Sequence, residues 1–279
     1  MKEAMFYQKR SNGDIDCLLC PHNCHISEGN LGFCKVRKNQ NGKLYTLNYG
    51  KITGAAYDPI EKKPLYEFYP GEIIFSIGSY GCNFRCDFCQ NYQLVYDHER
   101  YSDADIDRLW ELAGANGSIG IAYTYNEPTI WYEYMYDISC GIRDRKLKNI
   151  MVTNGYINQE PLKKLLPLLD AMNIDLKAYS DAFYKKICSG TLEPVLKTIE
   201  TAANCTHIEV TTLLIDGEND RDIEAIAKFL GDINSDIPLH ISRYFPRFKR
   251  NTPVTDVNSL YRAEEIARKH LNKVYLGNI

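Results

Sequence analysis

The stretch Gly81-Cys-Asn-Phe-Arg-Cys-Asp-Phe-Cys-Gln90 sets three cysteines, Cys82, Cys86 and Cys89, in C-x3-C-x2-C spacing on one short loop. It follows an apolar run of strand length at 72–78. Further strand-length runs recur at 118–124, 149–153, 171–175, 207–214 and 238–242. Amphipathic stretches at 103–115, 129–146, 159–169, 180–187, 193–204 and 220–233 alternate with them, and a last helical pattern covers 257–271. Repeated strand-then-helix order predicts an α/β fold with a parallel sheet and right-handed crossovers. The units are sufficient for an open, partial (β/α)6 barrel, with a doubly wound sheet as the competing architecture.

Three thiolates on one loop can hold three irons of a cubane cluster and leave the fourth iron open to an amino and a carboxylate group. A three-cysteine zinc site completed by a distant histidine is the alternative. In a barrel, function gathers at the carboxyl ends of the strands. There the sequence sets Tyr125-Asn-Glu-Pro128, Thr153-Asn-Gly155, Asp175-Leu-Lys177, Thr211-Thr-Leu-Leu214 and His240-Ile-Ser-Arg-Tyr-Phe-Pro246. Each end is polar, charged or glycine-containing, and together they form a coherent pocket.

The cysteine loop, with aromatic Phe88 before the last cysteine, resembles the signature of the radical S-adenosylmethionine (SAM) superfamily. The resemblance implies a 4Fe-4S cluster on Cys82, Cys86 and Cys89. One electron passes from that cluster to the SAM sulfonium, and the resulting 5′-deoxyadenosyl radical abstracts hydrogen from substrate. The strand ends resemble the pyruvate formate-lyase activating enzyme branch. By that likeness Phe88 lies near the adenine, and Glu127, preceded by Asn126, takes the SAM ammonium. Thr153 and Asn154 match that branch's Asp-Thr-Asn-Gly element, with Val152 in place of the aspartate. Asp175 and Lys177 match intact, with Lys177 reaching the methionyl carboxylate. His240 falls near the ribose or adenine, and Thr212 and Arg243 complete the SAM-binding set. Taken singly, Glu127 is also suited to cap the helix after it, and Asp175 with Lys177 to form a surface pair.

A second cysteine set, Cys17, Cys20, Cys24 and Cys34, reads C-x2-C-x3-C-x9-C with His22 and His25 nearby. Such spacing suits a tetrahedral zinc site or an auxiliary iron–sulfur cluster that orders a polar, loop-rich segment. The pattern Cys17-x2-Cys-Pro-His-Asn-Cys24 through Cys34-x-Val-Arg37 resembles the amino terminus of AmmeMemoRadiSam-system radical SAM enzymes. So do Tyr125–Pro128, the Met151-Val-Thr-Asn-Gly155 run and His240–Pro246, so the likeness spans nearly the whole chain. It departs at Asp216, where those relatives usually carry proline. They also tend to carry a further cysteine pair beyond the 275–278 segment.

The 279 residues are 44% hydrophobic and 25% charged with net charge −3, an ordinary globular balance that does not point to nucleic acid as a partner. No apolar run reaches the roughly 18 residues that span a bilayer, and no secretory leader is legible. The expected location is the cytosol. Seven of the ten cysteines fall in the two clusters, which argues for metal and against a disulfide scaffold; Cys140, Cys188 and Cys205 read as buried small hydrophobes. The expected organisation is a cysteine-rich knuckle over 1–42, a β lead-in or hairpin over 43–71, and the barrel over 72–279. The expected partners are an electron donor of the flavodoxin or ferredoxin type and a Memo-like or glycyl-radical-like protein substrate; a small molecule or nucleic acid base is the alternative substrate. A non-catalytic zinc-binding interaction protein is the reading from another class.

Overall fold

The computed structural model describes residues 1–96 and 100–279. Its centre is a single eight-stranded sheet. In chain order the strands are β1 (Gly54–Pro59), β2 (Ile73–Gly78), β3 (Ser118–Tyr123), β4 (Lys148–Thr153), β5 (Ala171–Asp175), β6 (His207–Leu214), β7 (Leu239–Arg243) and β8 (Val274–Gly277). They lie side by side in that order, with β1 antiparallel to β2 and every later pair parallel. The six strands read from the sequence are all present. The seventh parallel strand, β8, was not among them, because four residues flanked by polar ones carry little periodic signal.

β2 to β7 read as near-continuous apolar runs because both faces of the sheet are covered. Helices Tyr132–Asp144, Glu193–Ala203, Ile223–Ile233 and Val257–Ala267 contribute the outer layer. The helix Ile106–Ala113 starts where Asp105 accepts a hydrogen bond from the Asp107 amide. The 180–187 stretch is one short turn, Asp181–Phe183, followed by a π-helix, Tyr184–Cys188, that ends at left-handed Ser189.

The run at 43–47 does not form a hairpin with 52–57. Strand Lys43–Thr46 pairs with Arg37–Gln40 and with Lys2–Glu3, and a second small sheet joins Tyr7–Lys9, Ile15–Cys17 and His25–Ile26. The amino-terminal region is therefore two three-stranded sheets rather than a loop-rich knuckle alone. It docks on the helix Tyr132–Asp144 through a fully buried ion pair, in which Arg37 Nη2 reaches the Glu133 carboxylate at 2.9 and 2.7 Å.

Between β1 and β2 the chain crosses the amino end of the barrel and closes it. Ile60 and Leu65 pack against Ile74, Ala122, Ile150 and Ala171, all fully buried. Asn173 donates to the Pro64 carbonyl at 2.8 Å. The buried Glu209 carboxylate accepts the amides of Tyr66 and Glu67 at 3.0 and 2.8 Å and meets His207 and His240 at 3.0 and 2.6 Å. Burial works against the Glu209 charge, but these partners outweigh it and lower its pKa to about 2.

A carboxyl group with a lowered folded pKa stabilises fully above its unfolded range near 4.5, and that contribution is lost as pH falls toward 2. Glu209→Gln is expected to cost about 2–4 kcal/mol at neutral pH. Its thermal midpoint should also fall less steeply than wild type between pH 4.5 and 2. Thermal melts across that range check both; parallel pH profiles for the two proteins would contradict the assignment.

Candidate functional site

At the other end of the barrel, the loop leaving β2 carries the three cysteines over a cavity of about 300 Å³. The loop has little backbone pairing of its own, so side-chain amides hold it. Asn126 accepts from the Ser79 amide at 2.8 Å and donates to the Gly81 carbonyl at 3.1 Å. Asn83 donates to the Tyr156 carbonyl at 2.7 Å and accepts from Asn154 at 2.9 Å. Arg85 turns back onto the carbonyls of Cys82 and Phe84 at 2.7 and 2.9 Å, and its amide donates to the Cys188 carbonyl at 2.9 Å. Gly78 and Gly81 are required by space. A Cβ on Gly78 would lie 2.6 Å from the Thr124 carbonyl oxygen, and Gly81 adopts φ +85 against the amino-terminal region.

Cys82, Cys86 and Cys89 all face the cavity. The Phe84 amide and the Asn154 carboxamide point at Cys82 Sγ at 3.3 and 3.8 Å. Burial pushes the Cys82 thiol well up and Cys89 up to about 11, while contact with Cys188, then burial, raises Cys86. Half-buried thiols with raised pKa values ionise readily once a metal cation binds them, which is what iron supplies. Among the described residues no three histidine, cysteine or acidic side chains close around a single ion. Three thiols spread around one cavity suit a polynuclear cluster better than a single zinc ion.

Phe88, Asn126, Glu127, Thr153, Asn154, Asp175 and Lys177 line the same cavity. Glu127 is buried and caps the short helix after it, accepting the Thr129 amide at 2.9 Å. It also accepts Thr153 Oγ1 at 2.7 Å and the Asn154 amide at 2.8 Å, so one carboxylate ties two strand ends together. Burial raises its pKa against these bonds. Lys177 pairs with Asp175 at 2.5 Å. Burial disfavours the Lys177 charge, but the Asp175 carboxylate outweighs it and the net shift is upward. This is a cavity-lining pair rather than a surface one.

Thr212, His240 and Arg243 do not line the cavity; their neighbours Thr211, Leu213 and Ser242 do. The pleat decides this, because alternate residues of a strand face opposite sides. Thr212 and Arg243 lie on the outer face, donating to the carbonyls of Leu176 and Thr255 at 2.8 Å each. His240 shares the inner face with Ser242, but its imidazole is held below the cavity by Glu209 and stacks on Tyr275.

Sequence reasoning missed Asn278, after the unread β8, and quoted Tyr125 at its strand end without giving it a role. Tyr125 takes φ 70, donates to Asp58 at 2.9 Å and offers its carbonyl to Asn91 at 2.7 Å. Cys188 is buried as read but touches Cys86; Cys140 is half-buried and Cys205 is exposed, so those two are not core residues.

The family model described as "Radical SAM superfamily" matches residues 76–230, which contain the cysteine loop and most of the cavity. The chain belongs to the radical SAM superfamily. It is 44% identical to an uncharacterized protein of Methanocaldococcus jannaschii, over 100% of this chain and 86% of the other. It is 30% identical to a second protein of that organism, named "Putative glycyl-radical enzyme activating enzyme", over 70% of this chain and 77% of the other. Among solved structures, Streptococcus suis SuiB bound to S-adenosylmethionine superposes with a TM-score of 0.57 at 14% identity, covering 78% of this chain and 52% of that one. That likeness is one of fold. A radical SAM enzyme requires SAM and a 4Fe-4S cluster, and the donor set here fits both. Among the described residues no helix is long and apolar enough to cross a membrane.

Gly81→Ala would set a Cβ 2.8 Å from Val36 and 2.9 Å from the Cys34 carbonyl at a positive φ. The expected cost is about 2–3 kcal/mol. Denaturant unfolding measures it; an unchanged midpoint would show that the loop is not clamped here.

Proposed function

We propose that the chain binds SAM in the strand-end cavity, cleaves it reductively, and turns the radical on a protein substrate in the manner of a glycyl-radical activating enzyme. The observation that carries this reading is the convergence of three thiols and the Asp175–Lys177 pair on one cavity. A 4Fe-4S cluster on Cys82, Cys86 and Cys89 supplies one electron to the sulfonium, giving methionine and a 5′-deoxyadenosyl radical that takes a hydrogen atom from substrate.

The residues bind and orient. Lys177 offers a charge-assisted bond to the methionyl carboxylate. Glu127 spends three of its roughly four acceptor sites on the protein, leaving one for the SAM ammonium. Phe88, 5% exposed, presents an apolar surface for the adenine. Thr211, Ser242 and Asn278 are the polar groups available to the ribose and base on the far side, in place of Thr212, His240 and Arg243. Val152, where activating enzymes carry the aspartate of a cation site, brings no charge.

The name of the 30% identical relative supports a protein substrate, and the motifs shared with AmmeMemoRadiSam-system enzymes support a Memo-like one. A flavodoxin or ferredoxin is the matching electron donor, and the cytosol the matching location. Cys17, Cys20, Cys24 and Cys34 enter this reading as a second metal-ligand set.

Dithionite-reduced protein with SAM is expected to release 5′-deoxyadenosine and methionine, and Cys86→Ala to release neither. SAM cleavage by that variant would sink the cluster assignment. Lys177→Met should raise the KM for SAM about 10- to 100-fold, the loss of one charge-assisted bond, without altering the cluster's absorption. Deuterium passing from a labelled candidate protein into 5′-deoxyadenosine identifies the hydrogen donor.

A further inference from the structure

We propose that Cys17, Cys20, Cys24 and Cys34 hold a second iron–sulfur cluster, which fixes the wall against which the Cys82–Cys89 loop is built. The inference goes beyond the SAM-cleaving reading and rests on no step of it. The fold brings the four together from three segments. The Cys17 amide donates to the Cys24 carbonyl at 2.9 Å, a turn closes from the Asn23 amide to the Cys20 carbonyl at 3.0 Å, and the chain returns through Gly32 to Cys34. Gly32 is where a Cβ would stand 3.8 Å from Cys24 Sγ. Each thiol is close enough to interact electrostatically with the other three.

Two features are out of place around inert thiols. First, a backbone N–H points at one of the sulfurs: Phe33 donates toward Cys24 Sγ at 3.4 Å, as Phe84 does toward Cys82 Sγ at 3.3 Å. A donor aimed at sulfur stabilises a thiolate ligand more than a thiol, whose sulfur is only a weak acceptor. Second, Arg37 is 1% exposed, and only its Nη2 is used by Glu133. Its Nε and Nη1 are buried without a partner, beside Cys17 and Cys34. Orphaned guanidinium donors cost about 1–3 kcal/mol or more each unless an anion meets them. A cluster on four thiolates is such an anion.

Among the described residues the four thiols, like Cys82, Cys86 and Cys89, do not close on a single ion. Zinc draws four sulfurs to about 2.3 Å of one point, whereas a cubane spreads them over separate irons. The geometry therefore favours the cluster over zinc. Its position gives the role. The Cys34 carbonyl abuts Gly81, one residue before Cys82, and His22 Nε2 meets the Asn83 carbonyl at 2.7 Å. The Arg85 guanidinium lies 4.3 Å over the Phe33 ring and donates to the Phe33 carbonyl.

The test is iron and sulfide content of the full chain, purified anaerobically and reconstituted. Wild type is expected to carry about eight irons, and the Cys82→Ala/Cys86→Ala/Cys89→Ala variant to stay brown with half of that and a 4Fe-4S Mössbauer signature. Cys20→Ser/Cys24→Ser should likewise lose half of the iron and lower the thermal midpoint. A folded triple variant that is iron-free, whether metal-free or holding one zinc, overturns the proposal, as does wild type with only four irons. Failure of SAM cleavage alone, with eight irons present, would count against the SAM-cleaving function and leave this inference standing.

Discussion

The Glu127 carboxylate is the tie on which the site depends. A loop carrying three half-buried thiols makes little backbone pairing of its own, so the strand ends around it must be locked from the side. One buried carboxylate does this by accepting from Thr129, Thr153 and Asn154. Asn154 in turn meets Asn83 and Cys82, and Asn126 holds Ser79 and Gly81. The bonds form one network from β3 and β4 to the cysteine loop, where each member is satisfied by the next. Burial raises the free energy of the Glu127 charge, and the three donors offset only part of it. A group that both caps a helix and faces the cavity links folding of the site to folding of the barrel.

The barrel is chemically polar along its axis. Its amino end is shut by the crossing segment over 60–71, with Glu209 as anchor and an apolar layer of Ile74, Ala122, Ile150 and Ala171 above it. Its carboxyl end stays open and carries the thiols, the Asp175–Lys177 pair and the Asn and Thr side chains. Closing one end removes water from below the site, and in that dry interior a charge at the open end acts through a low dielectric. Two buried carboxylates, Glu209 below and Glu127 above, thus serve opposite ends: one seals, the other holds the site open.

The amino-terminal sheets are tied to this frame by polar groups as much as by apolar packing. Arg37 and Glu133 form an ion pair with 1% and 0% of their side chains exposed. Such pairs fix relative placement more than they add net stability, because desolvation consumes most of the Coulomb gain. Phe6 packs edge-on to Tyr132 with ring centroids 5.0 Å apart, and Trp131 donates to the Asn48 carbonyl at 2.7 Å. The result places Cys34 and His22 directly behind Gly81 and Asn83. The cysteine loop that lines the cavity is therefore backed by a part of the chain more than forty residues earlier in sequence.

How much of this was legible in the sequence follows from range. The six strands of 72–242 and the cysteine loop are local patterns: apolar runs of fixed length, and ligands spaced on one loop. Their order alone implied a parallel α/β sheet, since strand–helix repeats permit little else. The partners of 43–46 and the short β8 were not legible, because pairing is a non-local choice. The site divided the same way. Residues on loops after the strands, such as Asn126, Glu127 and Asn154, could be placed by motif because a loop brings its side chains to the strand end whatever the pleat. Residues within β6 and β7 could not. A one-residue change of phase turns Thr211 inward and Thr212 outward, and hydrogen bonding to Glu209 draws His240 below the cavity. The sequence by itself determined which chemistry the chain carries, since that lies in residue types and short spacings. Which side chains face the cavity, and what stands behind the cysteine loop, were decided only by tertiary structure, where pleat phase and long-range contacts are set.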